Sequence, residues 1–385
     1  MKGQSDSNPY RENGSVLIEE GIDVPLLAYL RTKFARPAVE YLENPRKLTG
    51  GFDTSIFRFS LSGAPEPFCG PLVIRCFSHS EGVPRANFEA VVQHVAAELD
   101  YPAPRVCIKE TQQCILGSEF LIMQHMPGHT LGEELMAPRE RGMAQRLQAL
   151  LPQIPEKVSE LWAIMAAAQF RLHQLPVGLL ECAIKDAGIP VRDITLEGRL
   201  DSLRLTCAEK ELAELQPVIA WLEANRPPQN RVAICHCDFH PFNVLVDDGH
   251  VSGVLDWANA MIGDPAMDLG FTVVAIAEAP IKIPRTFAPL VRLKLRAAAR
   301  AYCGAYRRLA DLNQSAIDYY RVFACTSQLR WACETLLRGH GSGAFASEEG
   351  VGHLLRHIEA VTGIQTNIGR LMTSISPLEP LHHGP

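Results

Sequence analysis

The sequence predicts an α+β fold of two lobes, a smaller β-rich lobe followed by a larger, mainly helical one. Three observations support this prediction. Strand-like segments are concentrated before about residue 126, helix-forming residues dominate after Gly128, and one strong hairpin signal, Asp248-Gly249, lies within the helical part. The chain has 385 residues, which is more than one small domain needs.

The composition narrows the class of protein. Apolar residues make up 47% and charged residues 21%, as in ordinary globular proteins. The net charge of -6 argues against general nucleic-acid binding, which needs a basic face. The polar N-terminal stretch and the lack of a long apolar run predict neither an export signal nor a membrane span. Eleven cysteines without a C-x-x-C pair therefore indicate reduced thiols in a cytoplasmic enzyme.

The first lobe is predicted over residues 21–126, after a loose leader at 1–20. Alternating apolar residues around Phe57 to Leu61 indicate a half-buried strand. Helical spacing of apolar residues predicts a helix between the second and third strands. The predicted elements are a helix at 25–33, strands at 57–61, 72–77 and 119–125, and a helix at 84–99.

The second lobe is predicted over residues 127–375, after a hinge near 123–128 and before a tail at 376–385. Its clearest helix is 158–175, and helical sequence continues to Asn225 and resumes near Arg292. Two short strands, 243–246 and 251–255, flank the Asp248-Gly249 turn.

Polar residues with the right chemistry surround this hairpin. Asp238 precedes it, Asn243 begins it and Asp256 ends it. A hairpin brings its two ends together, so Asn243 and Asp256 are expected to be neighbours. Carboxylate and amide oxygens are ligands that suit Mg²⁺. The spacing His236-x-Asp238-x-x-x-x-Asn243 also reproduces a kinase catalytic-loop pattern, H-x-D-x-x-x-x-N.

A zinc-dependent enzyme is an alternative reading of the same stretch, because Cys235, His236 and Cys237 are adjacent. On an extended segment, however, the two cysteines point to one side and the histidine to the other. No second pair of ligands has zinc-site spacing, so buried thiols beside a catalytic loop are the preferred interpretation.

The run HCDFHPFNVLVDDGHVSGVLDWANAMIGDPAMDL resembles the aminoglycoside phosphotransferase and choline kinase-like family of small-molecule kinases. The resemblance implies a protein kinase-like fold with a small antiparallel-sheet lobe. It also implies Mg²⁺- and ATP-dependent transfer of a phosphate to a small-molecule hydroxyl. In that reading Asp238 is the catalytic base, and Asn243 and Asp256 hold Mg²⁺.

Upstream segments carry the same resemblance. LTGGFDTSIFRF looks like the family's nucleotide-covering loop, in which Gly50 and Gly51 let the backbone approach the phosphates. Arg75 stands where the phosphate-holding Lys belongs, and Glu89 stands where its ion-pair partner belongs. Arg in place of Lys keeps the charge but changes the geometry of the contact. The resemblance also places adenine at the hinge, which runs from Met123 to His125.

Several other polar residues have structural interpretations. His236 is expected to brace the loop, whereas His240 is either a brace or a substrate contact. Asp264 and Asp268 are expected to anchor the loop and a helix start, with Asp268 as the N-terminal cap, and His173 is expected to be a buried, hydrogen-bonded histidine. A non-catalytic nucleotide-binding protein with the same fold is the main functional alternative. The sequence does not specify the acceptor molecule or the oligomeric state.

Overall fold

A computed structural model describes residues 21–48, 54–77, 85–112, 115–136, 156–209, 212–229, 231–278, 288–337, 345 and 347–366. The predicted leader, the tail and the loop with Gly50 and Gly51 lie outside these residues. The chain forms two compact units. The first contains the described residues up to Gly128, with Leu179–Ile189 and Leu245–Ala258. The second contains His129–Gly178, Pro190–Val244 and the described residues from Asn259 onward. The predicted lobe boundaries stay predictions.

The first unit is built on a five-stranded sheet whose strand order is β1-β2-β3-β5-β4. Neighbouring strands pair antiparallel throughout. Its elements are α1 (Asp23–Phe34), β1 (Glu40–Lys47), β2 (Thr54–Ser62), β3 (Leu72–Phe77), α2 (Arg85–Glu98), β4 (Val106–Glu110) and β5 (Phe120–Gln124).

The two faces of this sheet bury different residues, as a side-chain period of two requires. On β3, Leu72 and Ile74 belong to a large core that also contains Leu26 and Leu30 of α1. Phe77 of the same strand belongs to a smaller cluster with Ala86 and Ala90 of α2, which also contains Leu121 and Met123 of β5. The odd-numbered residues of β3, among them Arg75, therefore lie on the face that α2 covers.

The second unit is mostly helical. Its helices and short strands are β6 (His129–Thr130), α3 (Leu131–Met136), α4 (Glu156–Leu172), α6 (Leu196–Glu209), α7 (Gln216–Ala224), β7 (Ala233–Cys235), β10 (Met261–Gly263), α8 (Pro265–Ala277), α9 (Ala288–Arg307), α10 (Gln314–Leu337) and α11 (Glu348–Thr362). Helix α5 (Val177–Asp186) begins here, and most of its residues belong to the first unit. Helix α8 packs against both α9 and α10, and 11 of its 13 residues are buried.

A β-hairpin formed by β8 (Val244–Asp247) and β9 (His250–Val254) lies almost entirely in the first unit. Its turn residues Asp248 and Gly249 have φ values of 46° and 76°. Both values lie in the left-handed region that two-residue hairpin turns require, and Asp and Gly adopt it readily. The predicted hairpin is therefore confirmed.

The structure confirms the α+β fold class and most of the predicted elements to within a few residues. Among the described strands, β1, β4, β6, β7 and β10 were not predicted. The prediction that Asp268 is the N-cap was wrong. Asp264 caps α8 with a hydrogen bond from the Ala266 amide (2.8 Å), and Asp268 lies inside the first turn. None of the helices in the described ranges combines the length and apolar character that crossing a membrane requires.

Candidate active site

Arg75 and Glu89 form an ion pair on the α2-covered face of the sheet. Strand alternation places Arg75 on this face, and helical spacing places Glu89 on the buried face of α2 with Ala86 and Ala90. The side chain of Glu89 is 1% exposed, so a charge is buried here together with its partner. The Arg75 guanidinium carbon also lies 5.4 Å from the centre of the Phe77 ring. Packing on that ring restrains the guanidinium.

Arg75 also reaches Asp256, whose Oδ1 lies 3.2 Å from Nη2. Asp256 comes two residues after β9 and has a left-handed backbone, with φ of 63°. A non-glycine residue in that region stores about 1–3 kcal/mol of strain, and such residues cluster at functional sites. The next residue, Trp257, is fully buried and donates from Nε1 to the Val254 carbonyl (2.9 Å). The indole thus anchors the strained residue that precedes it.

Met123 and His125, the predicted adenine contacts, lie at and just beyond the end of β5. The Met123 side chain is in the core under α2, where its Sδ accepts from Gln93 Nε2 (3.5 Å). His125 is partly buried and its amide donates to the Pro71 carbonyl (2.9 Å). Burial, with Arg58 adding to it, lowers the pKa of His125. A contact of either residue with nucleotide stays a prediction.

Asp238 and Asn243 contact each other in the second unit. Asn243 Nδ2 donates to both the Asp238 carbonyl (3.0 Å) and the Asp238 Oδ2 atom (3.2 Å). The amide nitrogen of Asn243 is thereby directed to Asp238, which leaves its oxygen as the atom suited to a cation. The expected proximity of Asn243 and Asp256 stays a prediction.

His240 lies on the other side of the same carboxylate. Its Nε2 is 3.5 Å from Asp238 Oδ1, and both side chains are about three-quarters buried. Its Nδ1 accepts a hydrogen bond from the Phe242 amide (3.2 Å). The structure therefore shows His240 as part of the loop's internal bonding, next to the candidate base.

Asp268 anchors the loop that carries Asp238 through hydrogen bonds to two backbone amides. Its Oδ2 accepts from the His236 amide (3.0 Å), and its Oδ1 accepts from the Cys237 amide (2.7 Å). His173 Nε2 lies 3.0 Å from Oδ2. Burial opposes ionisation of Asp268, but the His173 hydrogen bond, the nearby histidines and the His236 amide outweigh it and lower the pKa. The carboxylate thus replaces water for two backbone donors next to Asp238.

The prediction for His173 is confirmed, because it is buried and bonded through both ring nitrogens. Its second partner, Tyr306 on α9, lies 2.6 Å away from Nδ1 and was not predicted. These two residues are 133 positions apart, and no sequence pattern relates positions so distant.

The stretch with alternating cysteine and histidine is not extended throughout, contrary to the sequence-based expectation. Strand β7 ends at Cys235, and Cys237 has a left-handed backbone with φ of 57°. Amide anchoring by Asp268 holds this bend. Burial, followed by the charge of Asp268, raises the pKa of both thiols, which disfavours the thiolates that zinc binds. No group of three His, Cys, Asp or Glu side chains suited to a metal occurs within the described ranges.

Comparison with known proteins decides the family. The model of the phosphotransferase enzyme family matches residues 46–312, more than two-thirds of the chain, and this range includes every candidate site residue. The chain belongs to this family. The resemblance inferred from the catalytic-loop sequence is thereby confirmed.

Curated relatives match over a shorter range. Acyl-CoA dehydrogenase family member 11 of Gallus gallus is 26% identical over 208 residues, which is 52% of this chain and 24% of that protein. Acyl-CoA dehydrogenase family member 10 of Mus musculus is 22% identical over 187 residues, 48% of this chain and 16% of that protein. The chain thus matches about a quarter or less of the length of these relatives.

Solved structures share the fold. A protein of Ralstonia eutropha assigned to the aminoglycoside phosphotransferases gives a TM-score of 0.55 at 16% identity, covering 89% of this chain and 98% of its own. A mutant of aminoglycoside phosphotransferase APH(4)-Ia, in complex with AMP-PNP and hygromycin B, gives 0.51 at 17% identity, covering 88% and 99%. This chain therefore has the kinase-like fold of these phosphotransferases.

Proposed function

We propose that the protein is an ATP-dependent phosphotransferase that transfers the γ-phosphate to a hydroxyl of a small molecule. One observation carries the proposal. The chain belongs to the phosphotransferase family, and its Asp238 carboxylate accepts a hydrogen bond from Asn243. The loop that carries Asp238 is anchored by the buried Asp268. Such an oriented carboxylate suits a base that receives a hydroxyl proton.

The nucleotide side of the proposal rests on the Arg75 cluster. Arg75 would hold phosphate oxygens with its planar fork, while Glu89 fixes the guanidinium from the buried side. Gly50 and Gly51 would cover the phosphates, as predicted from the sequence. Adenine would contact the chain at Met123 and His125. The AMP-PNP complex of the structural neighbour supports nucleotide binding by this fold.

As predicted from the sequence, Asn243 and Asp256 would each supply an oxygen ligand to Mg²⁺. Asn243 offers an oxygen because its nitrogen is bound to Asp238, and Asp256 offers a carboxylate that already holds a cation, the Arg75 guanidinium. Both are hard oxygen donors of the kind that Mg²⁺ prefers. Bound Mg²⁺ would neutralise the phosphate charge that grows on the leaving group.

The reaction itself requires little covalent chemistry from the protein. The acceptor oxygen forms a bond to the γ-phosphorus, and the bond from that phosphorus to the bridging oxygen of ADP breaks. Asp238 receives the hydroxyl proton, and ADP leaves with the bridging oxygen. Positioning by Asp238 and charge neutralisation by Arg75 would supply most of the rate enhancement.

A panel of hydroxyl compounds tests which class of molecule accepts the phosphate. It would contain aminoglycosides, including hygromycin B, macrolides, amino alcohols and sugars. Hydroxyacyl-CoA thioesters complete the panel, because the curated relatives are acyl-CoA dehydrogenase family members. Each compound would be incubated with the protein, Mg²⁺ and ATP labelled at the γ-phosphate, and labelled product would be separated chromatographically.

Labelled product from one compound class would establish the activity and name that class. Calorimetry with ATP and Mg²⁺ on the same preparation provides the control for nucleotide binding. Nucleotide binding without transfer to any compound or to water would favour the alternative of a non-catalytic nucleotide-binding protein. Absence of both would contradict the proposal.

A further inference from the structure

We propose that His240 is a positioning residue that orients the Asp238 carboxylate for its role as base; this inference rests on the proposed function. The Asp238 carboxylate is contacted by a different donor group at each oxygen. Asn243 Nδ2 lies 3.2 Å from Oδ2, and His240 Nε2 lies 3.5 Å from Oδ1. The hydrogen bond from Asn243 at one oxygen and the nearby imidazole N–H at the other favour one rotation of the carboxylate about its own axis.

The hydrogen bonding of the ring determines where the His240 proton lies. A backbone N–H is always a donor, so Nδ1, which faces the Phe242 amide at 3.2 Å, is the acceptor. In a neutral imidazole the proton is then on Nε2, the atom directed at Asp238. The loop thus fixes the tautomer that presents a donor to the base.

The distance from Nε2 to Oδ1 has a functional consequence. At 3.5 Å it exceeds the usual length of an N–H···O hydrogen bond. A carboxylate oxygen has two lone pairs, so Oδ1 can still accept the proton of an acceptor hydroxyl. His240 therefore guides the carboxylate without consuming its capacity as a base.

The His240 ring is itself held in place. It packs edge-on against Phe242, with ring centres 6.3 Å apart. The Phe242 ring lies over Gly132, where an added Cβ would come within 2.5 Å of the ring. The Gly132 amide also donates to the Pro241 carbonyl (2.8 Å). Only a residue without a side chain at position 132 lets Phe242 support the histidine in this way.

Two variants separate orientation of Asp238 from simple bracing of the loop. His240→Gln places an amide N–H near the position of Nε2, whereas His240→Asn keeps an acceptor near Nδ1 and removes the distant donor. We expect the Asn variant to lose at least about tenfold in kcat with its KM for ATP unchanged within about twofold. The Gln variant should retain kcat within about threefold.

The measurement is steady-state turnover of Mg²⁺-ATP with the best acceptor of the panel or, failing one, with water as acceptor. The opposite order, with Asn active and Gln impaired, would show that His240 only braces the loop through the Phe242 amide, and would overturn the inference. Equal activity of both variants and the unchanged protein would overturn it as well. No turnover by the unchanged protein would instead overturn the proposed function, on which the inference rests.

A spectroscopic measurement tests the geometry without activity. Long-range ¹⁵N–¹H spectra of the histidine-labelled protein, with His240→Gln used to assign the ring, should show the tautomer that carries its proton on Nε2. The Nδ1-protonated form would contradict the inference. Gly132→Ala should displace Phe242 and lower kcat, whereas Gly304→Ala, where an added Cβ meets nothing within 4 Å, should leave kcat unchanged.

Discussion

At the residue scale, the charged side chains around Arg75 are buried together with their partners. Glu89 is almost completely buried, and Arg75 connects it with the more exposed Asp256. A buried carboxylate is tolerated only when a cation or hydrogen bonds compensate for lost hydration. The pair therefore has a structural role as well as the proposed role in binding phosphate.

Replacing Arg75 should accordingly affect stability. Arg75→Met leaves the buried Glu89 carboxylate without this cation and should reduce the free energy of unfolding by about 3 kcal/mol. Adding Glu89→Gln to that variant should restore much of the loss. Urea denaturation monitored by circular dichroism measures both effects.

The matched control is Arg58→Met, which breaks the exposed pair with Glu43 (3.0 Å) on the same sheet. Loss of an exposed pair should cost no more than about 1 kcal/mol. Equal losses for Arg75→Met and Arg58→Met would show that burial gives the Arg75 pair no special importance.

At the element scale, helix α8 is the support of the catalytic loop. Asp264 caps its first turn, and Asp268, one turn later, binds the amides of His236 and Cys237. A single buried helix therefore determines both its own start and the path of the loop that carries Asp238. The left-handed backbone of Cys237 shows how sharply the loop is bent at this point.

Asp268→Asn should be much more harmful than Asp264→Asn. At position 268 an amide NH₂ would face one of the backbone N–H donors, which should cost roughly 2–4 kcal/mol and lower kcat by releasing the loop. At position 264 asparagine is as good an N-cap as aspartate, so the change should stay below about 1 kcal/mol. Thermal unfolding and turnover of the two variants provide the comparison. Similar effects from both would contradict the anchoring role of Asp268.

The sequence predicts elements well where periodicity is strong, and poorly where it is weak. β3 and α2 have clear periods, so the positions of Arg75 and Glu89 were predictable from sequence and resemblance together. β1 was missed because only two of its eight residues are partly buried and the rest are exposed, so it has no apolar alternation. β7 and β10 have three residues each, too few to show any period.

Candidate-site residues were predictable where one short segment contains them. Asp238, His240 and Asn243 lie within six positions, and the spacing identifies them. Tyr306 on α9 and His173, just after α4, are far apart in the chain, and only the folded packing brings them together beside Asp268. Asp264 and Asp268 do anchor the helix start and the loop, but the sequence assigned the N-cap to Asp268 instead of Asp264, because a capping residue and a buried anchor look alike in sequence.

At the scale of the whole molecule, stability should fall on acidification in two separate ranges. Burial, followed by the charge of Arg321, lowers the pKa of His357 on α11 to about 4. Below its ordinary pKa of about 6.5 the unfolded chain takes up a proton that the folded protein does not, so stability falls as the pH drops from 6.5 to 4. Asp268 has a lowered pKa and therefore stabilises the folded protein when it is ionised. This stabilisation is lost at lower pH, as the pH falls below about 4.

His357→Gln should weaken the dependence of the free energy of unfolding on pH in the upper of these two ranges. We expect up to about 3 kcal/mol of the pH dependence between pH 6.5 and 4 to disappear in this variant. The check is urea denaturation of both proteins at half-unit pH steps. An unchanged slope in the variant would exclude His357 as its source. His353 and His125, whose pKa values are also lowered by burial, should contribute to the pH dependence that remains.

The central claim is that Asp238 acts as the base of a phosphotransferase. The most direct test compares the unchanged protein with Asp238→Asn, using γ-labelled ATP, Mg²⁺ and the acceptor found by the panel. Asparagine keeps the shape and the contact with Asn243 but accepts no proton. We predict a fall in kcat of at least about 10²-fold, with the dissociation constant for ATP within about threefold of the original. Near-normal turnover by Asp238→Asn would contradict the account.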